Sequence, residues 1–485
     1  MRVTLINPYF QSQVHHIAQT TIGPPLGLAY VAGGLEEADH DVVIVDANVL
    51  GLDPAGAAER ALTHDPDLVG LTATTPTLPV AAAIAREVKA RRASVRVVVG
   101  GPHASAIPRR TLDDVASFDG VAVGEGDRSL AAWATAFERH GPAAAMRVPG
   151  FVWRDGDDVV STGAPPPFTD LETVPSPARH LLPMDRYRTV DSDRFTTVLA
   201  MRGCPCSCVY CAVPEFFGRR MRYRAPASVA MELDAVHRRH GIDFISFVDD
   251  TFTTKTRWVN ELCDELIRRG VHRRVRWICL TRADMVDVPL LRRMRDAGCV
   301  RVEMSIETGS DVGRAYLRKG LTEAAILRGY AAAREVGLST MGFLILNIPG
   351  ETEVDVRRSL DLALRADPDF LQVSFLTPYP GTPLRVEAEA KGWIGDDAWE
   401  DYSFLNHAIL RHGTLPPDRL AALHAEVISR FWLRPRTAIK LARLALRGTA
   451  HPRPLLRTIC AGLTHAIRGP LGLQAGSEQP ARAKP

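Results

Sequence analysis

Short apolar runs alternate with amphipathic stretches along most of the chain, and they do so in two successive series. In the first series the β-branched runs lie at residues 3–6, 42–45, 68–72, 95–99 and 121–123. Helix-like stretches such as 26–37, 80–91 and 128–140 separate them. Runs that are apolar throughout are typical of strands buried on both faces, and hence of a parallel sheet with helices on each side. We therefore expect residues 1–145 to form a doubly wound parallel α/β domain.

The second series occupies residues 196–395 and repeats the same alternation. Its strand candidates are residues 197–200, 244–248, 276–280, 300–306, 341–346 and 370–376. Its helix candidates are residues 227–239, 259–269, 289–297, 323–336 and 353–365. Six such βα units predict an open, partial (β/α)6 barrel of the TIM-like kind, whose chemistry would lie at the carboxyl ends of the strands.

Residues 146–195 connect the two series. Within them, residues 151–160 alternate about an Asp155-Gly156 turn, which predicts a hairpin. A proline-rich run follows at 164–183, and we expect it to lie on the surface between the domains.

The pattern becomes helical over residues 396–473, and from Gln474 to the end, residues 474–485, the composition is typical of a disordered tail. Within residues 436–447 the cations of one helix face are Arg436, Lys440, Arg443 and Arg447. Such a helix either makes peripheral contact with an anionic membrane or, more often, packs its apolar face on its own protein.

Composition narrows the classes of function. The chain has 485 residues, enough for two to three domains, with 46% hydrophobic and 24% charged residues. The 59 Lys and Arg against 56 Asp and Glu give a net charge of +3, which argues against a nucleic-acid partner. No apolar run reaches the length of a membrane span, and the first residues begin a strand rather than a signal peptide, so we expect a cytoplasmic protein.

The strongest chemical signal is a cysteine cluster directly after the first strand of the second series. Four of the eight cysteines fall within eight residues, and Cys204, Cys208 and Cys211 form a C-x3-C-x2-C pattern. In a chain of this composition the pattern would arise by chance about two times in a thousand. Thiolates packed so tightly on one loop suit iron–sulfur ligation, and three ligands leave one iron of a four-iron cluster open to a reactant.

A zinc knuckle and inert thiols are the alternative interpretations. Zinc usually requires a second Cys or His pair across a loop, and none is evident here. Cys206 makes a rival C-x-C-x-C set possible, but we interpret it as a non-ligand. The iron–sulfur interpretation is favoured.

Polar residues follow the strands of both series where the carboxyl ends should meet. In the second series they are Asp249, Asp250, Ser305, Glu307 and the segment 347–352. In the first series they include Asn7, Asp46, Thr72, the Gly100-Gly101-Pro102-His103 run and Gly124-Glu125-Gly126. Singly, such residues are often helix caps or tight βα turns. Together, at successive strand ends, they favour binding sites.

The cysteine spacing resembles the signature of the radical S-adenosylmethionine (SAM) enzymes, whose open iron chelates the amino and carboxylate groups of SAM. Lys319-Gly320 and the segment 347–352 are also similar to that family, although Asn347 stands where glycine is usual. The resemblance implies a [4Fe–4S] cluster held by Cys204, Cys208 and Cys211. It further implies a SAM site formed by Tyr210, Asp249, Asp250, Ser305, Glu307 and Pro349, with Tyr210 beside the adenine and Ser305–Glu307 facing the ribose.

The first series, with the cysteine motif downstream, resembles the cobalamin-binding, flavodoxin-like domain found ahead of many radical SAM barrels. The matching segments are 24–30, 100–103 and 124–126. The resemblance implies a cobalamin site at Asn7, Pro25, Gly27, Thr72, Gly100, Gly101, His103, Gly124 and Glu125. The D-x-H-x-x-G motif that supplies an axial histidine is absent, so the lower cobalt face would lack a protein histidine, or the domain would have kept the fold and lost the cofactor.

Together these resemblances imply a cobalamin-dependent radical SAM enzyme, and most readily a methyltransferase acting on an unactivated carbon of a small molecule, or less often on phosphorus. An external electron donor of the flavodoxin or ferredoxin type would then be required. The alternatives are a radical SAM dehydratase, epimerase or cyclase in which cobalamin is absent or structural, and a non-catalytic cobalamin or iron–sulfur sensor. Methylthio transfer is disfavoured because no cysteine precedes Cys204.

Overall fold

The structure is a computed structural model that describes residues 1–9, 21–156, 158–165, 168, 170–405 and 408–446, without the side chains of 441–446. Two sheets, each with its own helices, account for most of it. The first sheet contains, in chain order, β1 (Arg2–Asn7), β2 (Asp41–Asp46), β3 (Leu68–Thr72), β4 (Arg96–Gly100), β5 (Gly120–Ala122), β6 (Phe151–Asp155) and β7 (Asp158–Ser161).

The first sheet has the order β2-β1-β3-β4-β5-β6-β7, and its first five strands are parallel. This is the flavodoxin-like arrangement, with a switch point between β1 and β3. Its helices are α1 (Leu26–Glu37), α2 (Ala47–Leu50), α3 (Pro54–Leu62), α4 (Leu78–Arg91), α5 (Pro102–Ala106), α6 (Pro108–Asp114), α7 (Gly126–His140) and α8 (Pro142–Ala145). One apolar core lies under α3 and α4 and another under α1 and α7, so the strands are buried on both faces as their composition predicts.

The hairpin of β6 and β7 belongs to this sheet rather than to the connector, which corrects the sequence-based assignment. β6 pairs antiparallel with β5, and β7 with β6. Gly120 of β5 lies against the Trp153 ring, where a Cβ atom would come within 2.3 Å of it. The alternation of apolar and polar residues predicted the hairpin, but it did not indicate that β5 would be the neighbouring strand.

The second sheet forms the half-barrel. Its strands are β8 (Phe195–Val198), β11 (Phe244–Phe247), β12 (Arg276–Thr281), β13 (Cys299–Glu307), β14 (Ser339–Leu346) and β15 (Phe370–Phe375), and all are parallel. They lie in sequence order across the sheet, from β8 at one edge to β15 at the other. A separate antiparallel pair, β9 (Met201–Arg202) with β10 (Arg222–Tyr223), lies between β8 and β11 in the chain.

Helices cover the outside of the half-barrel and continue into the C-terminal region. They are α9 (Val213–Phe217), α10 (Pro226–His240), α11 (Thr256–Arg268), α12 (Val288–Asp296), α13 (Asp311–Leu317), α14 (Glu323–Val336), α15 (Glu353–Ala366), α16 (Pro383–Ala390), α17 (Pro417–Trp432) and α18 (Pro435–Leu446). Short 3-10 turns occur at Thr75–Thr77, Leu171–Thr173, Arg179–Leu181, Val271–Arg273, Ala283–Met285 and Trp399–Asp401. The largest core of the described chain lies between the outer barrel face and these helices.

The basic helix α18 packs on its own protein. The Lys440 ammonium lies 3.0 Å from the carboxylate of Asp367, and the Arg436 guanidinium lies at the same distance from it. Asp367 is buried at the end of α15, so it draws the basic face of α18 against the barrel. The side chain of Arg443, residue Arg447 and the predicted tail lie outside the described residues. Within the part of the chain that is described, no helix is long and apolar enough to cross a membrane.

Candidate active site and cofactor crevice

The cysteines lie on a loop that a small hairpin closes at its base. β9 and β10 pair through Arg202 and Arg222, and residues 203–221 form the loop between them, directly after the first barrel strand. Gly203 at the loop's start has φ +95°, and a Cβ there would lie 2.4 Å from the Arg220 carbonyl oxygen. Only glycine fits this position without moving the backbone.

The loop forms one wall of a cavity of about 320 Å³ at the carboxyl ends of the barrel strands. The structure brings the three predicted cluster ligands to this cavity together with Tyr210, Asp250, Ser305 and Glu307. Cys204 and Cys208 are buried, while Cys206 and Cys211 are half-buried. These residues come from loop 203–221, the β11 end and the β13 end, which are far apart in the chain but meet at one edge of the barrel.

Glu307 is the centre of the hydrogen-bond network in this cavity. It ends β13 at a register shift, with φ +59°. Its carboxylate accepts a hydrogen bond of 2.8 Å from the Tyr210 hydroxyl and one of 2.5 Å from the Lys319 ammonium. Lys319 also donates to the Ser305 hydroxyl. Burial alone would lower the pKa of Lys319, but the adjacent Glu307 carboxylate raises it, so the ammonium form of Lys319 is favoured.

Two residues assigned to the SAM site from the sequence lie elsewhere. Asp249 is buried behind the cavity, and its carboxylate accepts hydrogen bonds from the backbone N–H groups of Ala200 (2.8 Å) and Met201 (2.6 Å). Pro349 is in the turn after β14 and does not line the cavity. The sequence predicted that these strand ends would share one site, but it did not indicate that the Asp249 carboxylate is occupied by the backbone just before the cysteine loop.

Asp250 has a different environment from its neighbour Asp249. It lines the cavity, and among the described residues no other side chain forms an ion pair or a hydrogen bond with its carboxylate, which is hydrogen-bonded by its own backbone N–H. Burial, and next the Cys204 thiol, raise the pKa of Asp250 to about 7. A cationic or hydroxyl-bearing ligand in the cavity would therefore find an acceptor here.

The arrangement of the cysteines fits an iron–sulfur cluster better than a single metal ion. Among the described residues, no three Cys, His, Asp or Glu side chains converge closely enough to hold one ion. Thiolates that bind different iron atoms of a cluster lie further apart than the ligands of one zinc ion, and Cys204, Cys208 and Cys211 all line one cavity. Cys206 is distinguished by its partner, because the Arg282 guanidinium lies 3.4 Å from its sulfur.

Sequence reasoning left Lys319 and Arg282 out of the site. In the sequence, Lys319 belongs only to a Lys-Gly pair, and Arg282 belongs to no recognisable pattern. Arg282 is buried, makes a two-bond pair with Asp284 and donates to the Lys319 carbonyl at 2.9 Å. The sequence feature that could have indicated Arg282 is its position directly after β12, because β12 lies next to β13 and ends at the same edge of the barrel.

A second, mostly apolar space of about 150 Å³ lies at the carboxyl edge of the first sheet, between the sheet and the helices α1 and α7. The predicted cobalamin residues that line this crevice are Gly27, Thr72, Gly100, Gly101, Gly124 and Glu125. A Cβ at Gly70 would lie 2.8 Å from the Leu5 side chain, so the glycine leaves the floor of the crevice open. An apolar slot floored by glycines suits the flat ring or apolar tail of a large cofactor, so these residues fit cobalamin.

Asn7, Pro25 and His103 do not line the crevice, so their assignment to the cobalamin site stays a prediction that the geometry does not support. The Asn7 amide donates to the Asp46 carboxylate at 2.8 Å, and Pro25 precedes α1. His103 is buried against Thr75 (3.1 Å) and the Trp399 ring (4.8 Å between centroids). Burial lowers the pKa of His103 to about 4. Asn7 and His103 are thus engaged with partners inside the first domain, and His103 also contacts Trp399 of the C-terminal region.

Glu125 lines the crevice, but its carboxylate is engaged with the second domain. It forms ion pairs with the guanidinium groups of Arg202 and Arg222, which flank the cysteine loop. Arg202 itself lines the crevice, as do Phe216 and Phe217 of α9. The crevice is thus completed by the loop that carries the cysteines, which no sequence pattern indicated.

Comparisons with known proteins agree with this geometry. Residues 18–134 match the model of the B12 binding domain, and residues 198–363 match that of the radical SAM superfamily. An uncharacterised methyltransferase of Pyrococcus horikoshii is 31% identical over 91% of this chain and 94% of its own length. The anaerobic magnesium-protoporphyrin IX monomethyl ester cyclase of Cereibacter sphaeroides is 28% identical over 84% of this chain and 66% of its own length.

Among solved structures, the fold is similar to that of TsrM from Kitasatospora setae, a radical SAM methyltransferase with cobalamin and a [4Fe–4S] cluster bound. The TM-score is 0.67 at 22% identity, over 81% of this chain and 78% of that one. The chain belongs to the radical SAM superfamily, in the group whose barrel follows a B12-binding domain. Its cofactors are accordingly a [4Fe–4S] cluster, SAM and cobalamin.

Proposed function

We propose that the chain transfers a methyl group to an unactivated carbon of a small molecule. The observation that carries the proposal is the junction of the two sites. Arg202 lines the crevice of the first sheet, and Cys204, two residues further on, lines the cavity of the barrel. A methyl donor in the crevice and SAM in the cavity would therefore lie on two sides of one loop.

When bound, the cluster and SAM supply the 5′-deoxyadenosyl radical that removes a hydrogen atom, and cobalamin supplies the methyl group. The chain's own residues bind and orient these reactants. Glu307, Ser305 and Lys319 present a fixed set of polar groups to the ribose side of SAM, and Tyr210 adds an aromatic ring beside the cysteines. Holding the reactants in register is the main contribution that such a protein makes to the rate.

The far wall of the cavity supports an apolar substrate. The side chains there are Leu280, Phe343, Ile345, Phe375, Leu376 and Phe404. Their neighbour Tyr379 donates its hydroxyl hydrogen to the Tyr402 carbonyl at 3.0 Å, so it presents mainly its ring. An apolar wall excludes water from a radical reaction and favours a carbon-rich substrate.

An electron donor of the flavodoxin or ferredoxin type would approach from outside the cysteine loop. Pro205 and Ser207 alternate with the cysteines and are exposed, and Arg219 beside them donates to the Cys206 carbonyl at 2.9 Å. At these residues the loop that carries the cysteines is open to solvent.

Ring formation on the same scaffold is the second candidate. It is favoured by the similarity to the magnesium-protoporphyrin IX monomethyl ester cyclase over 84% of this chain. The two candidates share the cluster and the SAM site, and they differ in whether SAM also supplies a methyl group.

The by-products of SAM distinguish the two candidates. With methyl-labelled SAM, a reductant and an accepted substrate, methyl transfer should give 5′-deoxyadenosine and S-adenosylhomocysteine in about equal amounts, with label in the product. Slow cleavage of SAM to 5′-deoxyadenosine should occur even without substrate. Turnover that yields 5′-deoxyadenosine but no S-adenosylhomocysteine would exclude methyl transfer and favour ring formation or another rearrangement.

A further inference from the structure

Four charged side chains meet where the first domain contacts the cysteine loop. They are Glu125 and Asp127, which follow β5, and Arg202 and Arg222, which pair across the base of the loop. We call this group the four-charge cluster. Every member is largely buried, with side chains 4–12% exposed.

The contacts of the four-charge cluster are specific in geometry. Arg202 makes a two-bond pair with Asp127, with both N–O distances 2.8 Å, and a further ion pair with Glu125. The other oxygen of Glu125 lies 2.7 Å from the Arg222 guanidinium. Two-bond guanidinium–carboxylate pairs fix orientation as well as distance. The cluster therefore fixes both ends of the cysteine loop relative to the edge of the first sheet.

Aromatic rings surround the same arginine. The Arg202 guanidinium lies 5.5 Å from the centre of the Tyr30 ring in the first domain and 5.6 Å from that of Phe217 in α9. Phe217 also lines the crevice, and its carbonyl accepts a hydrogen bond from Arg222 at 2.8 Å. A shift of the cluster would therefore move the crevice wall and the cysteine loop together.

We propose that Arg202, Arg222, Glu125 and Asp127 are positioning residues that set the separation between the cobalamin crevice and the iron–sulfur site. This inference rests on the proposed function, since it assigns a purpose to the distance between two cofactors. The charged groups of the four residues are paired with one another, so the proposed role does not require them to act as an acid or a base. Four paired charges cost more to bury than apolar side chains of similar size, so a fixed geometry is the property that they provide best.

The separation can be measured directly, without a substrate. Glu125→Gln and Asp127→Asn each remove one charge with almost no change in shape. The full-length protein, loaded with cluster and cobalamin under anaerobic conditions, is reduced until both cofactors are paramagnetic. Pulsed electron paramagnetic resonance then reports the distance between cobalt and cluster.

We expect one narrow distance distribution in the wild type and a distribution shifted or broadened by about 1 Å or more in both variants. Iron content should stay within about twofold of the wild type because neither residue lines the cavity that holds the cysteines. Because Glu125 lines the cobalamin crevice, the distance is compared only between samples with equal cobalt content. The matched control is Asp234→Asn, which removes the charge of a largely buried carboxylate that pairs with the exposed Arg274 (2.9 Å) inside the second domain. The control should leave the distribution unchanged.

A distribution identical to the wild type in both variants, or the same broadening in the control, would overturn the proposal. If the neutral variants fail to fold, Glu125→Asp provides the test, since it keeps the charge but shortens the side chain. A shifted distance between cobalt and cluster in this variant supports the proposal, and an unchanged distance overturns it. A wild-type protein that retains no cobalamin would instead contradict the proposed function. In that case a nitroxide attached at position 59, an exposed residue of the first domain, replaces cobalt as the second spin. The distance between this nitroxide and the cluster is then measured in the wild type, the variants and the control, and the outcomes are judged as above.

Discussion

At the scale of single residues, the charges around the two sites are paired with each other, and this pairing governs what they can bind. Glu307 is paired with Lys319, and Arg282 with Asp284. Asp250 is the carboxylate of the cavity for which the described residues offer no side-chain partner. A ligand in this cavity therefore meets one available acceptor among groups that are already held in place.

The cysteines give the first prediction. Cys204→Ala, Cys208→Ala or Cys211→Ala should each remove nearly all iron and sulfide from the reconstituted protein, because each removes a thiolate that the cluster needs. Cys206→Ala should retain the cluster, because Arg282 engages the Cys206 sulfur and the three-ligand spacing omits it. Iron and sulfide analysis with the spectrum of the reduced protein checks this. Loss of the cluster in Cys206→Ala would show that the ligand set is different.

Glu351 gives a prediction about pH. It is buried after β14, accepts a hydrogen bond from Thr308 in the β13 loop, and burial raises its pKa to about 7. A carboxyl whose pKa is raised on folding stabilises the protein fully below its unfolded pKa of about 4.5, and this contribution is lost as pH rises through 7. At the limit, the loss amounts to about 3 kcal/mol.

The measurement is a comparison of the wild type with Glu351→Gln, which cannot ionise. Between pH 5 and pH 8, about the range of the titration, the wild type should lose stability relative to the variant. The cost of the amide itself applies at every pH and does not enter the difference. Unfolding curves of the two proteins that change in parallel over this range would contradict the assignment.

At the scale of elements, loops of positive φ connect the barrel to the C-terminal region. Asn347 ends β14 with φ +65°, which asparagine tolerates better than most residues. Its amide donates to the Leu410 carbonyl at 2.9 Å, and its own carbonyl oxygen lies 3.3 Å from the His412 ring. The departure from glycine at this position therefore has a structural role, because it ties residues 408–412 to the top of the barrel.

The anchoring of α18 gives the prediction at this scale. Asp367→Asn keeps the shape and the left-handed backbone of the residue, but it removes the charge that Arg436 and Lys440 contact. We expect the free energy of unfolding to fall by about 2 kcal/mol, and proteolysis near α18 to become faster. The exposed Asp361 of α15 provides the matched control, since Asp361→Asn should change neither quantity. Equal effects of the two substitutions would mean that Asp367 does not hold the helix.

At the scale of the whole molecule, the crevice of one domain and the cavity of the other face a shared loop. The first domain offers glycine and apolar side chains, and the barrel domain offers Arg202, Phe216 and Phe217, which complete the crevice. In the described part of the chain no histidine lines this crevice, since His103 is directed towards Thr75 and Trp399.

The corresponding prediction concerns the cobalt. Protein loaded with hydroxocobalamin should retain it through gel filtration, and after one-electron reduction its electron paramagnetic resonance spectrum should show no nitrogen splitting from a protein histidine. His103→Ala should leave that spectrum unchanged. Histidine splitting that disappears in His103→Ala would show that the loop after β4 rearranges around the cofactor.

The sequence by itself determined the two βα series, the place of the cysteine loop after the first barrel strand and the glycines of the crevice. These follow from local properties, namely the periodicity of apolar residues, the spacing of thiols and the backbone freedom of glycine. Residue type at a strand end was a weaker guide, because Asp249, Asn7 and His103 have the right position in the chain but face other partners.

Only the tertiary structure decided how the two domains meet. Glu125 and Asp127 contact Arg202 and Arg222 across about 75 to 100 residues of chain, and nothing local to either segment indicates the other. The same holds for the β6–β7 hairpin, whose alternation predicts strands but not that β5 is its neighbour. Pairing between distant segments depends on which buried surfaces and charges complement each other once both domains are folded. This complementarity is therefore visible in the folded structure and not in the sequence alone.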